Sequence, residues 1–108
     1  MKSRDTALRL KRFEADDKAR KVADLEHMIR DFETMATDLD RQILAEEERT
    51  GVRDATHFAY STFAKSAAQR RDNLRASAAE LLQKLEHAQR ELDDAREQLS
   101  RAAPPTVA

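Results

Sequence analysis

The sequence predicts an all-α protein in which two long helices pack as an antiparallel coiled-coil hairpin. The chain of 108 residues is 38% charged and 5% aromatic, which leaves too little apolar material for a globular core but enough for a narrow seam between helices. Apolar residues recur in steps of three and four in both halves of the chain. The only glycine, Gly51, lies near the middle, so the chain can reverse there between two arms of nearly equal length.

The first arm is expected to be one helix over residues 3–50, with Ser3 as its N-cap. Its heptad seam is strongest in the middle and weakens towards the N-terminus, where lysines occupy two seam positions. The seam positions predicted for this arm are Leu8, Lys11, Ala15, Lys18, Val22, Leu25, Ile29, Phe32, Ala36, Leu39 and Ile43.

Two apolar residues of the first arm, Leu10 and Phe13, face outward in this register. They form a small partner-docking patch or reflect a local shift of the supercoil, and the residues leave both interpretations open. At the other end of the arm, residues 46–48 are three glutamates close to the negative end of the helix dipole. We expect either Arg49 and the facing arm to compensate these charges, or a basic partner to bind them.

The bend is predicted at residues 51–54. Gly51 can adopt the left-handed conformation that ends a helix, and Asp54 is a good N-cap for the next one. Ala55 would then begin a second arm over residues 55–102, followed by a frayed tail at 103–108 that contains both prolines. Residues 1–102 are therefore expected to form a single hairpin.

The second arm also keeps strict four-three spacing, with leucine and alanine alternating along its seam. Arg71 is the one charged residue in that seam. A fold point near Val52 places it opposite Glu33 or Asp31, so we predict an ion pair with one of them. The seam positions predicted for this arm are Tyr60, Ala64, Ala67, Arg71, Leu74, Ala78, Leu81, Leu85, Ala88, Leu92, Ala95, Leu99 and Ala102.

Several functional classes are disfavoured by composition and spacing. Cysteine is absent, the histidines lack a second ligand at helical metal spacing, and no phosphate loop or nucleophile elbow occurs. No enzyme activity, cofactor or metal is therefore expected. The net charge is −1, and the basic run over residues 65–75 faces the acidic half of the first arm, which argues against nucleic acid. No signal peptide or membrane span is recognisable, so we expect a cytosolic chain.

Three of the five aromatic residues lie just after the predicted bend: Phe58, Tyr60 and Phe63. In the heptad register Phe58 points outward, Tyr60 points into the seam, and Phe63 flanks it. An exposed phenylalanine on a chain this poor in aromatic residues favours a protein-docking role for Phe58. Tyr60 is better explained as bulk that closes the coil, and for Phe63 both roles stand equally.

Four segments together resemble the short alphaproteobacterial form of the flagellar export protein FliJ: MKSRDTALRLKRF, EEERTGVRD, HFAYSTFAK and QRRDNL. The resemblance covers roughly residues 1–85. HFAYSTFAK followed by QRRDNL carries most of its specificity, because heptads alone occur in many unrelated coiled coils. The family commonly has proline after the capping aspartate, where this chain has Ala55.

The resemblance implies an accessory coiled-coil stalk or adaptor of the flagellar type III export apparatus, and hence a role in motility and chemotaxis. Its expected partners are the export ATPase ring, the membrane-embedded export gate and export chaperones, met at the cytoplasmic face of the inner membrane. On this interpretation Phe58, Tyr60 and Phe63 would contact the gate or a chaperone, and Leu10 with Phe13 would contact the ATPase ring.

Two other classes remain open at this stage. In one, the chain is a single continuous helix that self-associates as a structural coiled coil, with Gly51 merely tolerated. In the other, it is a regulatory nucleic-acid binder. The leading expectation is a monomeric hairpin that serves as an accessory rod in protein export, and the self-associating coiled coil would have no export role.

Overall fold

The computed structural model describes residues 2–103 and contains two helices in that range, α1 (Lys2–Thr50) and α2 (Thr62–Ala102). Their apolar faces pack against each other with the chains antiparallel, as the pairing of Asp40 with Arg71 and of Glu47 with Tyr60 shows. The predicted helical hairpin is thereby confirmed. Most of the predicted C-terminal tail, residues 104–108, lies outside the described residues.

Both helices are long because their interiors contain neither glycine nor proline. α1 has 49 residues and α2 has 41, and both are rich in alanine, leucine and charged residues with high helix propensity. α1 is already helical at Lys2, so Ser3 lies inside its first turn and is not the predicted N-cap. At the other end of the chain the N–H of Ala103 still donates to the carbonyl oxygen of Leu99, at 2.9 Å.

The contacts divide the chain into two compact units along the helices. One unit contains residues 28–81, and the other contains the residues up to 27 together with those from 82 onwards. This division has a simple cause: a residue in a two-helix seam contacts only its neighbours within a turn or two, so no shared core links distant turns.

In the unit of residues 28–81, large side chains of α1 pack over small side chains of α2. Leu39 and Ile43 are buried against Ala64 and Ala67, and Tyr60 closes one end of this cluster. This arrangement lets the two backbones approach closely while the seam stays filled. The buried residues of this unit are Ile29, Ala36, Leu39, Ile43, Ala64, Ala67, Ala78 and Leu81.

In the other unit α1 contributes fewer buried residues to the seam than α2 does, as the lysines at its seam positions predicted. Lys18 occupies a seam position half-exposed and binds Glu91 of α2 at 2.5 Å, which raises the pKa of the Lys18 ammonium. The buried residues of this unit are Ala15, Val22, Leu85, Ala88 and Leu92. Every buried residue of both units is at a predicted seam position, so the heptad register read from the sequence is confirmed.

Gly51 ends α1 as predicted. Its φ of 74° lies in the left-handed region, and its N–H donates to the carbonyl oxygen of Glu47 at 2.9 Å. The next N–H, from Val52, donates to the hydroxyl of Thr50 at 3.2 Å. The hydroxyl of Thr50 in turn donates to the carbonyl oxygen of Glu47 at 3.4 Å, so the turn that ends α1 is held by hydrogen bonds within the chain.

The start of α2 differs from the prediction. The connection spans residues 51–61, and the helix begins at Thr62 instead of Ala55, so Asp54 is not its cap. Ser61 is the cap: its Oγ accepts the N–H of Ala64 at 3.2 Å, and its carbonyl accepts the N–H of Lys65 at 3.0 Å. The same hydroxyl donates to Glu46 of α1 at 3.0 Å, a tertiary contact that Asp54 does not make.

Replacing Gly51 by alanine is expected to destabilise the hairpin by about 1 kcal/mol, because an L side chain is strained at this φ. A Cβ at this position meets nothing within 4 Å, so the loss would come from the backbone and not from a clash. Gly51→Asn should cost less, since asparagine tolerates the left-handed region. Urea unfolding followed by circular dichroism measures both. Equal losses for the two variants would contradict the left-handed cap.

Ser61→Ala is expected to destabilise α2 by about 1 kcal/mol, the usual cost of losing an N-cap. Asp54→Ala is the matched control and should cost clearly less, because Asp54 closes only an exposed turn. The same unfolding measurement compares them. A larger loss for Asp54→Ala would instead restore Asp54 as the start of the helix.

Candidate partner-docking site at the helix connection

The connection is an ordered pair of turns. The N–H of His57 donates to the carbonyl of Asp54, and the N–H of Tyr60 donates to the carbonyl of His57, both at 3.0 Å. Asp54 Oδ1 accepts from the N–H of Thr56 at 2.9 Å and from its hydroxyl at 2.7 Å. These bonds from Thr56, the hydroxyl first, lower the pKa of the Asp54 carboxyl. Hydrogen bonds within the connection therefore fix its conformation, although it is not helical.

His57 supports the second turn through its ring. Its Nδ1 accepts the N–H of Ala59 at 3.0 Å, which assigns the proton of the neutral ring to Nε2. The ring of Phe58 stacks on it, with centroids 4.6 Å apart and an interplanar angle of 25°. The side chain of Phe58 thus has a defined direction although nothing covers it.

Two side-chain hydroxyls at the end of this connection donate to glutamates of α1. The hydroxyl of Tyr60 donates to Glu47 at 2.7 Å, and the hydroxyl of Ser61 donates to Glu46. Glu46 also accepts from Arg49 at 2.5 Å, and Arg49 is the main reason that the pKa of the Glu46 carboxyl is lowered. The chain itself therefore compensates two of the three glutamates at the end of α1, which was one of the two expectations.

The three aromatic residues are exposed or buried as expected, although Phe58 and Tyr60 lie in the connection and not on the predicted helix. Phe58 is 97% exposed and Phe63 is 55% exposed, while Tyr60 is half-buried against the cluster around Ile43. Tyr60 therefore has a structural role at the end of the seam. The partner-binding roles assigned to Phe58, Tyr60 and Phe63 stay predictions.

Leu44 is a candidate docking residue that the sequence reasoning missed. It is exposed at the rim of an open cleft between α1, the connection and α2. Its signal in the sequence was a leucine at an outward heptad position directly after the seam residue Ile43. The residues lining the cleft are Asp40, Ile43, Leu44, Glu47, Ala55, Tyr60, Ala68 and Arg71.

The predicted ion pair of Arg71 was wrong in its partner. Arg71 binds Asp40 at 2.8 Å and its neighbour Asp72 at 3.1 Å, and Arg75 also binds Asp40. The reason is the longer connection: with residues 51–61 outside the helices, Arg71 faces α1 one heptad beyond Glu33. The hydrogen bond from Arg71, followed by that from Arg75, lowers the pKa of the Asp40 carboxyl.

The second predicted docking patch, Leu10 with Phe13, belongs to the other unit. Both side chains are exposed, in agreement with the outward orientation expected from the register. The guanidinium carbon of Arg20 lies 5.9 Å from the centre of the Phe13 ring, within range of a weak cation–π interaction.

Within residues 2–103, no group of three acidic or histidine side chains is placed to hold a metal ion. Neither helix contains, in that same range, a stretch long and apolar enough to cross a membrane. No family model, curated protein or solved structure matches the chain. The resemblance to the FliJ family therefore rests on the residues quoted above.

Acid is expected to weaken the Asp40–Arg71 ion pair. The pKa of Asp40 is lower in the folded chain than in the unfolded one, so its contribution is complete above about pH 4 and is lost as the pH falls towards the folded value. Asp40→Asn should remove this part of the acid loss. Melting temperatures between about pH 6 and pH 2 measure it.

The control is Asp24→Asn, which changes an exposed carboxylate of α1 away from this ion pair. It should keep the acid profile of the unmodified chain. Profiles for Asp40→Asn and the unmodified chain that stay parallel over the whole range would show that the pair does not stabilise the fold.

Proposed function

We propose that this chain is a coiled-coil stalk or adaptor of the flagellar type III export apparatus, similar to the FliJ family. The sequence and the fold each support this proposal. The quoted segments at residues 1–13, 46–54, 57–65 and 69–74 resemble that family, and the antiparallel two-helix hairpin is the fold that the resemblance implies. The function then consists of binding proteins, and catalysis has no part in it.

The observation that carries the proposal is the presentation of Phe58. Its side chain is 97% exposed, yet the turns beneath it are fixed by Asp54, Thr56 and His57. An apolar side chain held in one direction loses little conformational entropy on binding, and full burial of a phenylalanine contributes about 2–3 kcal/mol. Phe58 is therefore suited to enter an apolar pocket of a partner, here the export gate or an export chaperone.

Leu10 and Phe13 supply a second contact in this proposal. They lie on the outward face of α1 among the cations Arg9 and Arg12, which have no ion-pair partner among the described residues. A partner surface that offers an apolar recess with acidic groups at its edge would match them. We assign this contact to the export ATPase ring, with the chain acting at the cytoplasmic face of the inner membrane.

The alternative of one continuous self-associating helix does not agree with the structure, because α1 ends at Thr50 and Gly51 is left-handed.

The test is affinity capture of the tagged chain from motile cells of its own host, with the captured proteins identified by mass spectrometry. We expect export ATPase, gate and chaperone components with the unmodified chain. Phe58→Ala should reduce recovery of the gate or chaperone by about tenfold or more, as truncation of a central anchor does. Recovery of the ATPase should persist.

Leu82→Ala is the matched control, because Leu82 is another exposed apolar residue that has no predicted docking role. It should leave all partners in place. Absence of export components from the unmodified sample would overturn the proposed function, whereas their undiminished recovery with Phe58→Ala would overturn only the site.

A further inference from the structure

The ion pair of Arg71 has a second solution one heptad along α1. Arg71 binds Asp40, and Glu33 lies seven residues before Asp40, at the same heptad position. A shift of α2 by one heptad towards the start of α1 would therefore carry Arg71 from one carboxylate to another. Such a shift is about 10 Å along the helix axis.

The ion pair of the other unit repeats in the same way. Glu91 binds Lys18, and Lys11 lies seven residues before Lys18, again at a seam position. Because α2 is one continuous helix over Thr62–Ala102, the same shift would carry Glu91 from Lys18 to Lys11. The ion pairs of both units thus agree on one alternative, which we call the slipped register.

The connection contains the length of chain that this shift needs. Asp54 precedes the observed cap Ser61 by seven residues, and both are favoured residue types for an N-cap. If α2 began after Asp54, residues 55–61 would add about two helical turns, and residues 51–54 would form the bend. Residues 55–61 contain neither glycine nor proline, so they are compatible with a helix.

We propose that the hairpin is a two-register switch, in which α2 slips by one heptad along α1 while residues 55–61 change from ordered turns to helix. In the observed register Phe58 projects from the connection, stacked on His57. In the slipped register Phe58 lies on the surface of a regular helix, and the bond from the Ala59 N–H to His57 is replaced by a helical one.

The slip does not depend on the export role, but it gives any partner of Phe58 a way to act on the whole hairpin. A partner that binds Phe58 as the connection presents it stabilises the observed register over the slipped one. By linkage, the register then sets the affinity for that partner.

The observed register is the major one because the slip also has unfavourable consequences. It breaks the hydrogen bonds that Tyr60 and Ser61 donate to α1, and it brings Lys84 opposite Lys18. We expect the slipped register in about 1–10% of molecules, the range of a minor state that is thermally populated.

Disulfide trapping in the full-length chain tests the slip, because the chain has no cysteine of its own. Ile43 and Ala64 pack in one cluster, so Ile43→Cys with Ala64→Cys reports the observed register. Ala36 lies one heptad before Ile43, so Ala36→Cys with Ala64→Cys reports the slipped register with equivalent geometry. Under mild oxidation of the dilute monomer, the second pair should close completely but about 10–100 times more slowly than the first.

The matched control is Ala36→Cys with Ala78→Cys. It reports a slip of one heptad in the opposite direction, which would unwind part of the helices to lengthen the connection and would move Glu91 opposite Leu25. This pair should stay reduced over the same time. Equal rates for the Ala64 and Ala78 pairs would overturn the proposal, because general fraying would then explain both, as would an Ala64 pair with Ala36→Cys that never closes.

A charge change shifts the balance between the registers. Lys84→Glu should speed closure of the Ala36→Cys, Ala64→Cys pair by about fivefold or more, because it replaces repulsion by Lys18 in the slipped register with attraction. Arg90→Glu makes the same charge change at an outward heptad position of α2 and should leave the rate within about twofold. A rate that Lys84→Glu leaves unchanged would contradict the slipped register.

Hydrogen exchange of the two trapped chains tests the conversion of residues 55–61. Their amides should exchange more slowly in the chain trapped through Ala36→Cys than in the chain trapped through Ile43→Cys, since only the former makes them helical. Circular dichroism melting confirms that both trapped chains are folded. Equal exchange in the two folded chains would overturn the coupling between the slip and the connection.

Discussion

The ion pair between Asp40 and Arg71 joins α1 to α2 across the seam in the register observed in residues 28–81. Apolar packing alone does not determine this, because a seam of leucine and alanine repeats every heptad and a slip by one heptad restores nearly the same contacts. A charged side chain in the seam restricts the register to those that offer it a partner. Arg71 is tolerated there because Asp40 and Asp72 neutralise it, whereas a slip of one heptad would replace Asp40 by Glu33.

The same constraint operates independently in the other unit. Lys18 lies in the seam and binds Glu91 at 2.5 Å. The slip of one heptad that a four-residue bend would produce brings Lys84 into the place of Glu91, and two lysines would then face each other. Lys18 therefore stabilises the observed register through Glu91 and destabilises the slipped one through repulsion by Lys84. An aliphatic residue at this position would bury more apolar surface but would not distinguish the two registers.

The length of the connection depends on this register. Once Arg71 faces Asp40, the chain between α1 and α2 must span residues 51–61, and it does so as two turns whose polar groups are satisfied locally or by α1. This arrangement lifts Phe58 away from both helices. Extension of α2 back to Ala55 would instead place it on the surface of a regular helix. The exposed ring thus depends on the same choice of register that places Asp40 opposite Arg71.

The sequence by itself determined the two helices, the antiparallel hairpin, the buried set along the seam and the left-handed stop at Gly51. These follow from periodicity and from one glycine, which are local properties and do not depend on the partner helix. It also predicted the outward directions of Leu10 and Phe13, because a heptad position on a helix fixes a direction, whereas Phe58 and Tyr60 lie in the connection and owe their directions to its turns. Only the tertiary structure decided where α2 begins, which carboxylate binds Arg71, and that Leu44, Met28 and Met35 stay exposed. Asp54 and Ser61 are both competent caps one heptad apart, and Glu46, reaching across from α1, bonds to Ser61 alone. The two possible starts of α2 are equivalent locally, so a contact from α1 decides between them. The periodicity of a single segment carries no information about that contact.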